Sequence, residues 1–476
     1  MRVSFINPPI FPYRKIMRNF DCATESKGNY LYQPYDFLLL SSRLPPSWNL
    51  SFCDAVALKI DVKESLKNLI NSRPDIIVCA VAATNWQQDL EFVKTLRTQF
   101  PECYLFVFGD ILIEKTPAQT IQKYVDGILT SPVIVDFNKL RFPKEDLSSL
   151  EGLRNDDFYE RVNLKAPQKI SLSNIRHQVF MNKAYRWPFA RYFRYTTIFT
   201  AWGCPYSCSY CIMSKFPNYW RDADEIIEEM KQVHKLGIKE IYIGDRSFGL
   251  PFQNVMNLLN KMIEKKFNFS WSTYFHPNQY RPELLEKMKE SGCHTIIIGI
   301  ESQDQTSLKD YSRHVRQDQM SSLLQHAQKI GLEVCGDFII GLPHDDRTSV
   351  EETIRYSQKI GIDFASFNVA TPLAGSDIRK LAIRQGKMRE DDQFDSLGKN
   401  AVVSVSKLSE EEIIELRNAA VQGFYARPGY ILKRIFKIRG YQHFIIQFQE
   451  ALQILLKANI LGLQNLLSLR EKIKNK

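Results

Sequence analysis

The strongest constraint on this chain is an alternation of strand-length apolar runs with helix-length segments, and it occurs twice. The first round runs through Val3-Ser-Phe-Ile-Asn, a segment Tyr35 to Leu44, Leu50-Ser-Phe-Cys-Asp, a helix Val62 to Asn71, and Ile76-Ile-Val-Cys-Ala. It continues with a helix Gln87 to Gln99, Tyr104-Leu-Phe-Val-Phe-Gly, a helix Pro117 to Tyr124 and Gly127-Ile-Leu. Such runs separated by helices imply parallel strands, because a parallel neighbour needs a crossover long enough to hold a helix. Residues 1–140 therefore read as a Rossmann-like α/β domain. Ligands of such domains sit beyond the carboxyl ends of the strands, here the loops Asn7 to Pro12, Ala82 to Trp86 and Gly109 to Leu112.

Periodicity weakens over residues 141–194, which read as a linker. The second alternation fills 195–390, with strands at Thr197–Trp202, Glu240–Gly244, Phe269–Tyr274, Thr295–Gly299, Val334–Ile340 and Ser366–Ala370. Helices fall between them near Asp222–Leu236, Phe252–Lys266, Pro282–Ser291, Gln317–Ile330 and Ser349–Ile360. This pattern points to a partial (β/α)6 barrel of TIM type, with its chemistry at the carboxyl ends of the strands. Residues 391–476 read as a C-terminal helical region, with Ser409–Tyr425, Pro428–Arg439 and Tyr441–Leu469 broken at Gly440 and Gly462.

With 476 residues and 44% hydrophobic positions, the chain has material for two or three cores, which excludes a disordered or fibrous protein. The longest apolar runs, such as Ile76 to Ala83 and Ile296 to Ile300, are strand-sized and fall short of the roughly 20 residues of a spanning helix. The amino terminus turns proline-rich after Ile6-Asn7, which is unlike a targeting segment. Nine cysteines are too sparse for a disulfide scaffold and suggest a reducing cytoplasm, where clustered thiols bind metal or react.

Three of them, Cys204, Cys208 and Cys211, lie in Gly203-Cys-Pro-Tyr-Ser-Cys-Ser-Tyr-Cys, directly after the first strand of the second alternation. With cysteines placed at random this C-x3-C-x2-C spacing has a chance of about 0.003, so the cluster is not accidental. Three thiolates can hold three irons of a [4Fe-4S] cube and leave the fourth open, whereas structural zinc or a closed electron-transfer cluster wants four protein ligands. An amino-acid carboxylate and amine would chelate the open iron. The competing reading is a zinc knuckle, or a cluster completed by Cys293 or Cys335.

The loop, with aromatic Tyr210 just before its third cysteine, resembles the hallmark of the radical SAM superfamily. The resemblance implies that the open iron binds S-adenosylmethionine (SAM) and that reduction yields methionine and a 5′-deoxyadenosyl radical. It implies an electron donor such as flavodoxin or ferredoxin. Tyr210 would contact the adenine. Gly244-Asp-Arg-Ser-Phe-Gly resembles the family's motif near the methionine amino group, which makes Gly244 and Asp245 candidates. Gly299-Ile-Glu-Ser resembles the segment whose acid contacts the ribose, here Glu301, and Gly336-Asp-Phe-Ile-Ile-Gly-Leu-Pro resembles the stretch by the adenine, with Gly336 and Gly341. A strand-end Asp or Glu can instead be a helix cap. Tyr274 and His276, ending the third strand, are candidates for contacting substrate or relaying a proton, and His276 also reads as a packed or capping histidine.

A sheet domain in front of the barrel resembles the cobalamin-binding domain of one large branch of that superfamily, and Phe424-Tyr-Ala-Arg-Pro-Gly-Tyr-Ile-Leu-Lys-Arg resembles a helical segment common there. Asn85, Trp86 and Gly109 are then candidates for facing a corrin, with ordinary surface-loop residues as the alternative for the first two. Where members carry Gly-Gly-Pro this chain has Gly109-Asp110-Ile111, and there is no DxHxxG motif. The branch implies radical chemistry on a small metabolite or natural-product scaffold. That would be cobalamin-dependent methyl transfer or a related C–H functionalisation, or else cobalamin-free dehydration or deoxygenation. An iron-sulfur sensor or electron carrier is the alternative of another class.

The net charge of +10 is local, since residues 427–476 hold ten Lys/Arg against two Asp/Glu. This basic tail admits phosphate binding, contact with an anionic membrane surface, or a solvated face over a packed helix. The stretch Phe444-Ile-Ile-Gln-Phe-Gln-Glu-Ala-Leu-Gln-Ile-Leu-Leu favours the last, as a helix apolar enough to pack on the barrel. A nucleic-acid partner is not expected, because basic helices without the extra RNA-binding barrel of tRNA-modifying relatives are weak evidence for one.

Overall fold

A computed structural model describes residues 1–20, 24–25, 30–140, 147, 153–154, 168–390, 392 and 403–457. Cys22 and the expected helix end at Leu469, with its break at Gly462, lie outside them.

The first alternation forms a five-stranded parallel sheet of β1 (Arg2–Asn7), β2 (Asn49–Asp54), β3 (Ile76–Ala80), β4 (Tyr104–Phe108) and β5 (Gly127–Ile128), in the order β2-β1-β3-β4-β5. Strands β3 and β4 are buried throughout, which is why they read as unbroken apolar runs. Helix α1 (Tyr35–Ser41) packs with Phe5, Val78 and Phe106 on one face, while α2 (Val62–Ser72) and α3 (Trp86–Gln99) pack with Ile6, Ile77 and Val107 on the other.

The second alternation forms a six-stranded, all-parallel partial barrel. Its strands β6 (Tyr195–Ile198), β7 (Glu240–Phe248), β8 (Ser270–Phe275), β9 (Cys293–Glu301), β10 (Glu333–Ile340) and β11 (Phe364–Val369) pair in sequence order, leaving β6 and β11 as edges. Strands β7 and β9 run past their expected ends, through register shifts between Ile243 and Phe248 and between Gly299 and Glu301. Such bulges re-aim side chains at a strand end. The helices bury apolar stripes on the convex side. Helix α4 (Ala223–Lys235) begins where the Asp222 carboxylate accepts from the Asp224 N–H, and it buries Ile226, Ile227, Met230 and Val233. Residues one out of step with that core face the concave side. There Trp187, from the expected linker, stacks on Tyr242 with centroids 3.8 Å apart and donates to Ser272 Oγ at 2.8 Å. The described part of the linker is thus built into the barrel.

In the C-terminal region, α5 (Glu410–Tyr425) opens with a reciprocal Ser409–Glu412 cap and buries Ile413, Leu416, Ala420 and Phe424, and the Tyr425 hydroxyl donates to the Ala365 carbonyl on β11. Each fully buried large side chain contributes about 1.5–3 kcal/mol. Helices α6 (Pro428–Phe436) and α7 (Gly440–Lys457) lie against the strand-start edge, where Arg434 pairs with Glu333 at 2.5 Å and Lys437 with Asp363. The expectation that the Phe444 stretch packs its apolar face on the barrel is corrected. His443 and Ile446 turn inward to that charged edge, and Tyr441, Phe444, Phe448 and Leu452 face out.

Candidate active site

The cysteine loop is held at its base by an antiparallel pair, Ala201 with Trp220 and Trp202 with Tyr219. Asp245 on β7 draws the chain off the barrel sheet. Its Oδ1 accepts from the Thr200 and Ala201 N–H groups at 2.7 and 3.0 Å, and its Oδ2 accepts from the Thr200 hydroxyl. The strand expected at Thr197–Trp202 therefore breaks after Ile198. Gly203 follows with φ of 94°, where a Cβ would overlap the Pro217 carbonyl, so the two ends of the loop can cross only at glycine. Ile212, Met213 and Phe216 of the loop are buried with Phe20, Phe37 and Phe108 of the first domain. The Ser209 N–H donates to the Tyr311 carbonyl and the Asp377 N–H to the Ser209 carbonyl. The loop is thus clamped between the two domains.

Cys204, Cys208 and Cys211 form no disulfide. Burial raises Cys204 to about 11 and Cys211 to about 12, and each also feels Cys208. Thiols so placed stay protonated until a cation takes the proton's place. Among the described residues, no three His, Cys, Asp or Glu close on a single point. Completion by a remote cysteine is corrected by the topology. Cys293 opens β9 at the opposite end of the barrel, and Cys335 lies near the start of β10 on the concave side.

Beside the loop stand Tyr210, Glu301 and Arg313. Glu301 ends β9 with φ of 64°, a left-handed conformation costing a non-glycine residue about 1–2 kcal/mol. Its side chain folds back over Gly299, where a Cβ would overlap the Glu301 carboxylate. Arg313 donates to the Gly299 carbonyl at 2.5 Å and stands 3.9 Å from the Glu301 carboxylate. Burial lifts Glu301 to about 7, against the pull of Arg313, and Asp337 adds to the rise. Burial also raises the Tyr210 phenol, which feels Glu301 and both Cys208 and Cys211 and so sits between acid and thiols. Arg313 follows a short helix, Gln305–Asp310, in no motif, and sequence reasoning missed it.

His276 caps the turn Pro277–Gln279, its Nδ1 accepting from the Asn278 N–H at 3.1 Å, and it stacks on Tyr206 of the cysteine loop at 3.7 Å. Burial first, and then Arg313, push it down to about 2, so the ring is neutral. With Nδ1 as acceptor the proton sits on Nε2, a buried N–H that has no partner among the described residues. His177 and His294, by contrast, have both ring nitrogens bonded at 2.8 Å to Thr196 and Glu229, and to Thr295 and Glu240. Tyr274 lies on the concave side of β8, with the Arg246 guanidinium 5.9 Å from its ring centroid.

The other residues singled out are placed differently. A recess of about 180 Å³ borders Gly203, Asp245 and Arg246, but both Asp245 oxygens are engaged as described, and burial raises its carboxyl to about 6 against the pull of Thr200 and Ala201. Gly244 makes room for the Phe199 ring, Gly336 faces Ile300 and Ile362 in the helix-side core, and Gly341 abuts Ile413.

At the carboxyl edge of the first sheet, Trp86 opens α3 as a buried core residue with Val81, Leu90 and Ile111, which corrects the expectation of a loop residue. A Cβ on Gly109 would overlap the Val81 carbonyl. Asp110 turns inward to accept from the Ala83 N–H at 2.9 Å, tying the loop after β4 to the loop after β3. Asn85 accepts from Arg14 at 2.9 Å, while its buried Nδ2 and the neighbouring Thr84 Oγ1 have no partner among the described residues. Arg18 and Asp89, both fully buried, pair at 2.8 Å, and Arg18 also donates to Asn7. Asn7 donates to Asp54, as does the Tyr185 hydroxyl.

The carboxyl edges of the two sheets meet. Ala83, Trp86, Ile111 and Leu112 share one core with Leu308, Tyr311, Leu342 and Ala370 of the barrel, with Tyr210 packed against it. Residues 199–357, which carry the thiol loop and Glu301, match the model of the radical SAM superfamily. The barrel thus carries a radical SAM domain. The chain is an enzyme of the radical SAM class, for which SAM and a [4Fe-4S] cluster are the cofactors. An uncharacterized methyltransferase of Pyrococcus horikoshii is 26% identical over 419 residues, 86% of this chain and 91% of the relative. The radical SAM methyltransferase TsrM of Kitasatospora setae, solved with cobalamin and a [4Fe-4S] cluster, shares 14% identity at a TM-score of 0.59 over 96% of this chain and 99% of its own. OxsB, a cobalamin-dependent radical enzyme solved with aqua-cobalamin and SAM, gives 0.59 at 14% identity over 94% and 70%. These last two are likenesses of fold. Among the described residues, no helix of this radical SAM enzyme is long and apolar enough to cross a membrane.

Proposed function

We propose that this radical SAM enzyme methylates a carbon of a small molecule with the help of cobalamin. The observation that carries the reading is the meeting of the two strand-end edges with the cysteine loop between them, so that a ligand on either edge faces the other. Cys204, Cys208 and Cys211 each bind one iron of the cube and leave the fourth for the amine and carboxylate of SAM. The cluster, when bound, supplies the electron that splits SAM, and cobalamin, when bound, supplies the methyl group. Glu301 accepts from the ribose hydroxyls and Arg313 holds it in place, while Tyr210 lies against the adenine. The Nε2–H of His276 is a donor for a ligand acceptor beside the loop. Asp245 acts through the loop, by fixing where it leaves the sheet.

On the facing edge, the orphan Asn85 Nδ2 and Thr84 Oγ1 suit a ligand rimmed with amide groups, as a corrin is. Asp110, whose side chain ties the loop after β4 to the loop after β3, favours the second reading, a cobalamin-free dehydration or deoxygenation. A flavodoxin or ferredoxin would deliver the electron, in a reducing cytoplasm that keeps the cluster thiols free.

The test is to load the purified protein with hydroxocobalamin, desalt it, and read the visible spectrum, then to incubate it with SAM, reductant and candidate acceptors. The expected result is a retained corrin spectrum, with S-adenosylhomocysteine formed as the mark of methyl donation. A colourless protein that still cleaves SAM would leave the cobalamin-free reading in place.

A further inference from the structure

Helix α7 is inside-out for a helix on the surface of a barrel. Inward it turns His443, Ile446, Gln447 and Glu450, while Tyr441, Phe444, Phe448 and Leu452 form one solvent-facing stripe at helical spacing, with Phe444 stacked on Phe448. The inward polarity has a cause in the strand-start edge. Glu333 opens β10 and Asp363 precedes β11 there, and they draw in Arg434 of α6 and Lys437 just after it, while Arg434 reaches on to Gln447 at 2.9 Å. These bonds fix the register of both helices, so the apolar face is held outward. Helix α6 extends it with Ile431, Leu432, Ile435 and Phe436, the last 77% exposed. Large apolar side chains exposed together on two successive helices of a folded protein mark an interaction site.

Charge decides what kind. Residues 427–476 carry ten Lys/Arg against two Asp/Glu; Lys433, Arg434 and Lys437 turn to Glu333 and Asp363, and with those two carboxylates counted the region still holds six positive charges in excess. A second copy packed on this face by twofold symmetry would set two surfaces of the same positive sign against each other. An anionic surface gains from the same charge. Apolar side chains at the height of the headgroups, with Lys and Arg around them, are how a helix lies on a membrane without spanning it. We infer that the outward face of α6 and α7 docks the enzyme on an anionic lipid bilayer. The face lies at the strand-start edge, opposite the cysteine loop, so docking leaves the site between the two sheets clear of the membrane.

The test is flotation of the cluster-loaded full chain with vesicles of mixed phosphatidylglycerol and phosphatidylcholine, or of phosphatidylcholine alone. The wild type is expected to float with the anionic vesicles, and to release as salt rises from about 0.1 to about 1 M and shrinks the Debye length from ~10 to ~3 Å. Phe444→Glu combined with Phe448→Glu, and separately Phe436→Glu, should weaken partitioning by about tenfold or more, with iron content and thermal midpoint retained. Equal flotation with phosphatidylcholine alone, flotation of all variants like wild type, or no flotation of wild type would each overturn the inference. So would a wild-type dimer by light scattering that these substitutions dissolve, which would assign the face to a second copy.

Discussion

The two parallel sheets present their carboxyl edges to one another, yet they treat the polar groups there in opposite ways. On the first sheet, Asn7, Asp54 and Asp89 are tied to Arg18 and Tyr185, and Asp110 to backbone N–H groups, while Thr84 and Asn85 keep a group with no partner among the described residues. On the barrel, the corresponding edge holds three thiols in no disulfide, a buried acid lifted to about 7, and a histidine whose N–H has no partner among the described residues. An edge whose polar groups satisfy one another gives stability, and an edge whose groups are left incomplete needs a ligand.

That contrast can be broken at several points. The largest expected effect is on the closed edge. Asp89→Ala strands the Arg18 guanidinium in the core and should cost about 3–5 kcal/mol in denaturant unfolding, while iron loading of the folded fraction stays unchanged. On the open edge Glu301→Gln should weaken SAM binding by about ten- to a hundredfold, or about 1.5–3 kcal/mol for a hydrogen bond to a charged group, without lowering stability.

The raised pKa of Glu301 gives two pH dependences with opposite signs. Below about 7 the group holds a proton and cannot serve as a carboxylate acceptor, so SAM affinity should rise as pH climbs through about 7. Folded protein holds that proton where the unfolded chain has lost it, so the same group costs stability as pH climbs from the ordinary carboxyl range through about 7. Isothermal titration and urea melts across that range should show both trends in the wild type and neither in Glu301→Gln.

A smaller effect is expected at His276. His276→Phe keeps a ring against Tyr206 and removes the orphan N–H, so stability should hold while the 5′-deoxyadenosine rate falls about tenfold, as for one lost hydrogen bond. Asn85→Ala should be mildest, with about fivefold weaker cobalamin retention, or about 1 kcal/mol, and no change in iron content.

Much of this architecture was legible in the sequence, because the elements that carry it are periodic. Strand Ile76–Ala80 and helix Gln317–Ile330 fall at their expected bounds. What the periodicity could not carry was decided by single long-range contacts. The strand Thr197–Trp202 breaks because Asp245, some 45 residues on, takes its N–H groups. Arg313 reaches the site through a turn that no local pattern marks, and Trp86 leaves its loop because the core beneath Val81 and Ile111 has room for an indole. Hydrophobicity alone favours an α7 that packs its apolar face inward. The charges of Glu333 and Asp363, more than seventy residues before it, turn it over. Of the site, the cysteine spacing and Glu301 could be read in the chain. The partners that give them their chemistry could not.

The most direct test of the central claim is release of 5′-deoxyadenosine, followed by chromatography after anaerobic reconstitution with iron and sulfide and addition of SAM and a reductant. The expected result is about four irons per chain, with 5′-deoxyadenosine formed by wild type and none by Cys208→Ala. A fully loaded wild-type cluster that releases no 5′-deoxyadenosine, or a Cys208→Ala protein that releases it at the wild-type rate, would contradict it.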